Sequence, residues 1–295
     1  MKIIAISTTA VILMLAFWVI TSAKIPDFSS VENYQASLER GEYVFNASGC
    51  ASCHSRPEAT QAEKLVLTGG RSFPSPFGTF YAPNISMDKV YGIGAWSEKD
   101  FANAVRHGVS PEGKHYYPSF PYTAYANMTD QDIADLWAYF KSIPESSKPS
   151  IDHDLPMYVS WRRPIAFWKL LNTGEPITGL VSSDAKVQRG AYLVETLGHC
   201  GECHTSRNFI GGLQYEYWLG GAKNPAGRGM IPNITPAKLT WDTEEIVEYL
   251  ASGFTPDFDV AGGHMADVVE NTSKLTEEDR MAIAEYLKAI PGVKK

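Results

Sequence analysis

Cysteine is scarce in this chain, four residues in 295. The four fall in two close pairs about 150 residues apart, which excludes the disulfide-dense scaffold of a small secreted domain. Positive charge is also short: 26 Lys and Arg stand against 33 Asp and Glu, for a net charge of −7. That balance argues against a nucleic-acid partner. No second long apolar run follows the first two dozen residues, so at most one membrane span is available. What is present is enough for a core. Hydrophobic residues make up 44% and charged residues 20%, which excludes a disordered protein, and the length suits two ordinary domains.

The N-terminus indicates export. After Lys2, Ile3 to Ile20 is uncharged and mostly apolar, long enough for a membrane helix and longer than the core of most cleaved signals. Thr21-Ser22-Ala23 offers the small residues of a cleavage site, so residues 1–23 are expected to be either an anchor or a signal peptide.

The remainder is an internal repeat. Arg40-Gly41-Glu42-Tyr43 matches Arg189-Gly190-Ala191-Tyr192, and Gly69-Gly70 matches Gly220-Gly221. Pro83-Asn84-Ile85-Ser86 matches Pro232-Asn233-Ile234-Thr235, and Trp96 to Phe101 matches Trp241 to Ile246. Each unit closes on a helix, Thr129 to Ile143 and Thr276 to Ile290. Apolar residues recur there at helical spacing: Ile133, Leu136, Trp137 and Phe140, then Ile283, Tyr286, Leu287 and Ile290. Thr129 with Asp132 and Thr276 with Asp279 are expected to form capping boxes. The fold class expected is mainly α: two tandem domains of short helices and long loops, over 34–146 and 185–294. The linker between them, 147–184, carries Trp161-Arg162-Arg163 and Phe167-Trp168-Lys169-Leu170-Leu171. That stretch suits either a lipid or partner surface, or a helix packed across both units. Aromatic stripes being usually core, the second is expected.

The cysteines stand in Cys50-Ala51-Ser52-Cys53-His54 and Cys200-Gly201-Glu202-Cys203-His204. Both read Cys-x-x-Cys-His, the attachment signature of c-type heme. Two intervening residues place both sulfurs under the vinyl groups of one porphyrin, and the next His reaches the iron from the proximal side. A zinc site would want its second pair of ligands nearer in sequence, and a thioredoxin-like pair would follow a βαβ pattern that is missing. Two covalent hemes c are therefore expected, on Cys50, Cys53 and His54 and on Cys200, Cys203 and His204.

A second axial ligand is sought among the methionines. In the second unit Gly262-Gly263-His264-Met265 lies on a loop before the last helix, and Met265 is the expected ligand, with His264 next. The matching position in the first unit is Phe120. The nearest methionine there is Met128, which a hydrophobic staple would equally explain; His115 and an open iron site are the alternatives. His107, His153, His199, Arg106 and Arg207 are candidates for propionate contacts.

With both motifs placed, the chain resembles the multiheme cytochrome c subunits of membrane-bound bacterial dehydrogenases for alcohols and gluconate. The likeness rests on Arg40 to His54, Pro83-Asn84-Ile85, Arg106 to Val109 and His115 to Tyr122, with Thr129 to Asp132. In the second unit it rests on His199 to Asn208, Pro232-Asn233-Ile234 and Met265 to Val268. It implies periplasmic c-type domains that pass electrons from a dehydrogenase toward quinone, another cytochrome or a terminal oxidase, without catalysis of their own. Those subunits often have three heme domains and commonly a Met where Phe120 stands. A diheme peroxidase is the rival reading; a thiosulfate enzyme would need a cysteine left over for iron, and none remains.

Overall fold

A computed structural model describes residues 2–23, 26, 34–173, 182–225, 227 and 229–294, with the side chains of residues 2–10 outside the described set. Part of the linker, 174–181, therefore lies outside the described residues.

The apolar N-terminus forms α1 (Lys2–Ile20). Among the described residues, however, no helix is long and apolar enough to cross a membrane. The first unit runs α2 (Leu38–Ala47), α3 (Cys50–His54), a hairpin of β1 (Ser72–Ser75) and β2 (Gly78–Tyr81), then α4 (Glu98–His107), α5 (Tyr122–Tyr125) and α6 (Asp130–Phe140). The linker forms α7 (Met157–Ser160) and α8 (Ile165–Asn172). The second unit repeats the order: α9 (Ala185–Ala191) with a π-helical turn to Leu197, and α10 (Gly201–His204). The short pair β3 (Ala222–Lys223) and β4 (Met230–Ile231) follows, then α11 (Thr243–Ser252), α12 (His264–Thr272) and α13 (Glu277–Ala289). Both strand pairs are antiparallel, with Ser72 opposite Tyr81 and Ala222 opposite Ile231.

In each unit the first helix crosses the last. The crossing is close because Gly41 and Gly190 have no Cβ; one built there would collide with the Asp135 and Ala282 carbonyls respectively. Arg40 then pairs with Asp132 and the fully buried Asp135, and Arg189 with Asp279. Aromatic stacking fills the first unit, with Phe101 on Trp137 at 5.0 Å and Phe45 edge-on to Phe140 at 5.7 Å. One contiguous core, from Phe45 and Ile133 to Leu219 and Tyr286, spans both units.

The expected capping boxes at α6 and α13 are only half made. The Thr129 and Thr276 hydroxyls accept from the amides of Asp132 and Asp279 as expected. The carboxylates do not reach back to the cap amides. A tyrosine from the other unit stands between: the Thr129 amide donates to Tyr192 Oη (3.2 Å), which donates to Asp132 Oδ2 (2.5 Å). The Thr276 amide likewise donates to Tyr43 Oη (3.4 Å), which donates to Asp279 Oδ2 (2.5 Å). The Tyr of each Arg-Gly-x-Tyr motif thus crosses to its neighbour's last helix, giving the units an approximately two-fold, reciprocal interface. Full capping boxes do form at α4, from Ser97 and Asp100, and at α11, from Asp242 and Glu245.

Candidate cofactor sites

Each Cys-x-x-Cys-His segment is a single short turn of helix, α3 or α10. The residue before the first Cys is left-handed in both, Gly49 at φ 61° and His199 at φ 37°. Glycine accepts that backbone freely, whereas a histidine is held there at a cost of about 1–2 kcal/mol. The His199 ring packs edge-on against Tyr125, centroids 5.4 Å apart, and Tyr125 Oη donates to the Ser48 carbonyl (3.0 Å) just ahead of Cys50. This pair joins the start of the second motif to the start of the first.

The two proximal histidines are held alike. His54 Nδ1 lies 2.9 Å from the Pro83 carbonyl, and His204 Nδ1 2.8 Å from the Pro232 carbonyl. A carbonyl only accepts, so Nδ1 carries the proton and the lone pair sits on Nε2, the atom free to bind iron. Burial holds both imidazoles below their ordinary pKa, which keeps them neutral. The hairpins β1–β2 and β3–β4 return the chain so that each Pro-Asn-Ile lies beside its histidine. Asn84 secures the first of these turns, its Nδ2 donating to the Ser146 (2.7 Å) and Lys148 (2.8 Å) carbonyls; Asn233 Nδ2 donates to Val293 (2.8 Å). The histidine carbonyls accept from Gly69 (2.6 Å) and Gly221 (2.7 Å), both at positive φ. The glycine pairing is therefore Gly69 with Gly221, one residue out of the register read from the sequence.

The cysteines are not paired with one another, and Cys203 is exposed. Burial pushes the thiols of Cys50 and Cys200 up to about 12 and that of Cys53 to about 11, so they stay protonated rather than forming thiolates. Among the described residues no cluster of His, Cys, Asp and Glu is arranged to hold a bare metal ion. Neutral thiols beside a histidine with a bare Nε2 fit a porphyrin iron, held through carbon–sulfur bonds and one imidazole.

The remaining candidates are placed less uniformly. Met265 is half-buried in the first turn of α12, two residues after Gly263 at φ 56°, with the intervening His264 exposed. Arg71 ties that helix to the first motif, donating to the Ser52 carbonyl and to Asp267 (2.7 Å). Met128 lies in the core at 3% exposure, in the same cluster as its repeat counterpart Leu275. Phe120 packs in an aromatic group with Tyr116, Tyr122 and Tyr125. His115 is buried, its Nε2 donating to the Thr21 carbonyl at the end of α1 (3.2 Å). His153 accepts from the Tyr81 amide (3.1 Å), Arg106 pairs with Asp130, and Arg207 pairs with Glu202. The carbonyls of Pro83 and Pro232 and the crossed tyrosines escaped the sequence reading as functional residues. Their signal was the repeat of Pro-Asn-Ile and Arg-Gly-x-Tyr.

Two mainly helical units, each carrying a Cys-x-x-Cys-His turn under a proline-held histidine, define a c-type cytochrome architecture. The cytochrome c family model matches residues 38–144. The chain is 54% identical over 256 residues to a diheme cytochrome c-type protein of Cereibacter sphaeroides, covering 86% of each. It is 35% identical to the fructose dehydrogenase cytochrome subunit of Gluconobacter japonicus, covering 88% of this chain and 54% of that one. Against the cytochrome c subunit of the quinone alcohol dehydrogenase of Gluconobacter oxydans the identity is 36%, over 88% of this chain and 56% of that one. The chain belongs to the cytochrome c family. It spans nearly the whole of the diheme relative but little more than half of the two dehydrogenase subunits.

Proposed function

We propose that this chain is a diheme electron carrier of the bacterial periplasm, without substrate chemistry of its own. Its domains are 34–146 and 185–294, joined by 147–184. Heme c would be bound by Cys50, Cys53 and His54 in the first and by Cys200, Cys203 and His204 in the second. The observation that carries the reading is the doubled histidine geometry, Nδ1 donating to a proline carbonyl and Nε2 left for iron. The cofactor supplies the one-electron redox step. The chain orients both imidazoles, holds the two motifs side by side through Tyr125 and His199, and keeps them at fixed separation through the crossed tyrosines.

Met265 is the proposed sixth ligand in the second unit and Met128 in the first, thioether ligation favouring a raised potential. The relatives support a dehydrogenase as electron donor, with quinone, another cytochrome or an oxidase as acceptor. The acidic surface suits a basic docking partner. Residues 1–23 would place the protein on the periplasmic side of the inner membrane, α1 acting as anchor unless it is cleaved.

Pyridine hemochrome titration should give two hemes c per chain, and the as-isolated protein should turn over peroxide no faster than free heme. A single heme or bound zinc would overturn the assignment, and rapid peroxide turnover would replace carrier with enzyme.

A further inference from the structure

Segment 157–172 is built inside out. On α8 the polar side faces the protein: Lys169 Nζ donates to the carbonyls of His107 (2.5 Å) and Gly108 (2.8 Å), and Asn172 is buried. Trp168 Nε1 donates across to Ile210 of the second unit (2.9 Å). The sequence expectation of a helix packed across both units is met by this face. The opposite face carries Phe167, Leu170 and Leu171, three and four residues apart, and the two leucines are 72% and 76% exposed. Met157, Tyr158 and Trp161 extend the patch, at 90%, 76% and 56% exposure.

The last turn of α1 ends on this patch. Phe17 lies 5.5 Å from the Trp161 ring and 6.1 Å from that of Phe167. Arg163 donates to the Trp18 carbonyl (3.1 Å) and to Thr21 Oγ1 (3.2 Å), and covers the Trp18 ring at 3.3 Å. A cation there complements the helix C-terminus. Every side chain from Val11 to Ile20 is apolar, and Phe17 alone among them is not exposed. A helix apolar on all sides is stable only when covered.

We propose that the outer face of α7 and α8 rests at the headgroup level of a lipid bilayer that receives α1. The proposal rests on the membrane reading given above and adds an orientation to it. Lipid is the occupant chosen because the patch continues directly from the apolar helix. Trp, Tyr and Arg at the end of such a helix are also the composition of an interfacial belt. Arg162 and Arg163 match anionic headgroups, in a chain whose overall charge is −7. Since α8 grips the first unit through Lys169 and the second through Trp168, one docked face fixes the height of both units above the membrane.

The test uses the full heme-loaded chain in nanodiscs of phosphatidylethanolamine and phosphatidylglycerol. The native cysteines being consumed by thioethers, single cysteines are introduced by Leu171→Cys, Leu13→Cys and, on the far-exposed Val90, Val90→Cys. Each is alkylated with a lipid-soluble and with a charged, impermeant maleimide, read by mass. The ratio of the two rates should be about tenfold higher for Leu171→Cys and Leu13→Cys than for Val90→Cys. A high ratio at Leu13→Cys with a Val90-like ratio at Leu171→Cys overturns the docked face and leaves the anchor standing. Val90-like ratios at both overturn the anchor and the orientation together. Protection of Leu171→Cys from both reagents overturns the proposal in favour of a second copy of this chain on the patch.

Discussion

Gly41 and Gly190 show what a repeat motif can hide. Their conservation between the two halves of the chain was legible as a match, but its reason, a carbonyl lying where a Cβ would be, needed the helix crossing. Gly41→Ala must push α2 off α6, and an overpacking loss of about 1–3 kcal/mol or more is expected, read as a lowered unfolding midpoint. Met128 poses a different question at the same scale. It is buried like Leu275, so packing and ligation predict the same location. Met128→Leu separates them, because leucine already serves at the equivalent position. If Met128 ligates, the near-infrared methionine–iron band falls by about half while the fold persists; an unchanged band removes Met128 as the ligand. Met265→Leu should abolish the other half. The two Cys-x-x-Cys-His turns proposed for heme attachment were legible as motifs, because their spacing is local in sequence. The carbonyl partners of the two histidines were not, since about 30 residues separate donor from acceptor and only folding of the hairpins joins them.

Among the elements, the last helix of each unit was well foretold: periodicity and cap residues place α13 within a residue at each end, and α6 within a residue at its start and three at its close. The destination of the Asp132 and Asp279 carboxylates was not. Sequence reasoning assigned them to their own caps, the most local partner, whereas tertiary contact supplies an arginine from the same unit and a tyrosine from the other. The two tyrosines donate to charged acceptors, a class of bond that contributes about 1.5–3 kcal/mol. Tyr43→Phe and Tyr192→Phe should each lower stability by about that amount in urea unfolding. Because the two contacts share a single interface, the double variant should depart from additivity. Strict additivity, with no change in limited proteolysis between the units, would show that the crossed tyrosines do not couple them.

For the whole molecule, the pH response follows from that same interface. Burial opposes ionisation of Asp279, but the Arg189 guanidinium and the Tyr43 hydroxyl outweigh it and hold the carboxyl below its ordinary value. The unfolded chain, lacking both partners, then binds the proton at a higher pH than the folded one. Stability from this group is complete above the unfolded carboxylate range near pH 4, and is lost as pH falls through the lower folded value. The alkaline side has the opposite origin. Burial pushes Lys169 down to about 8, so between there and its usual value the unfolded chain holds more protons, and stability rises with pH. The heme ligation proposed for His54 and His204 would add its own acid sensitivity, so the informative quantity is a difference between variants. The gap in urea midpoint between the wild type and Asp279→Asn should be widest near neutrality and narrow as pH falls below about 4. A gap that stays constant across that range would mean that the Asp279 charge contributes nothing to holding the two units together.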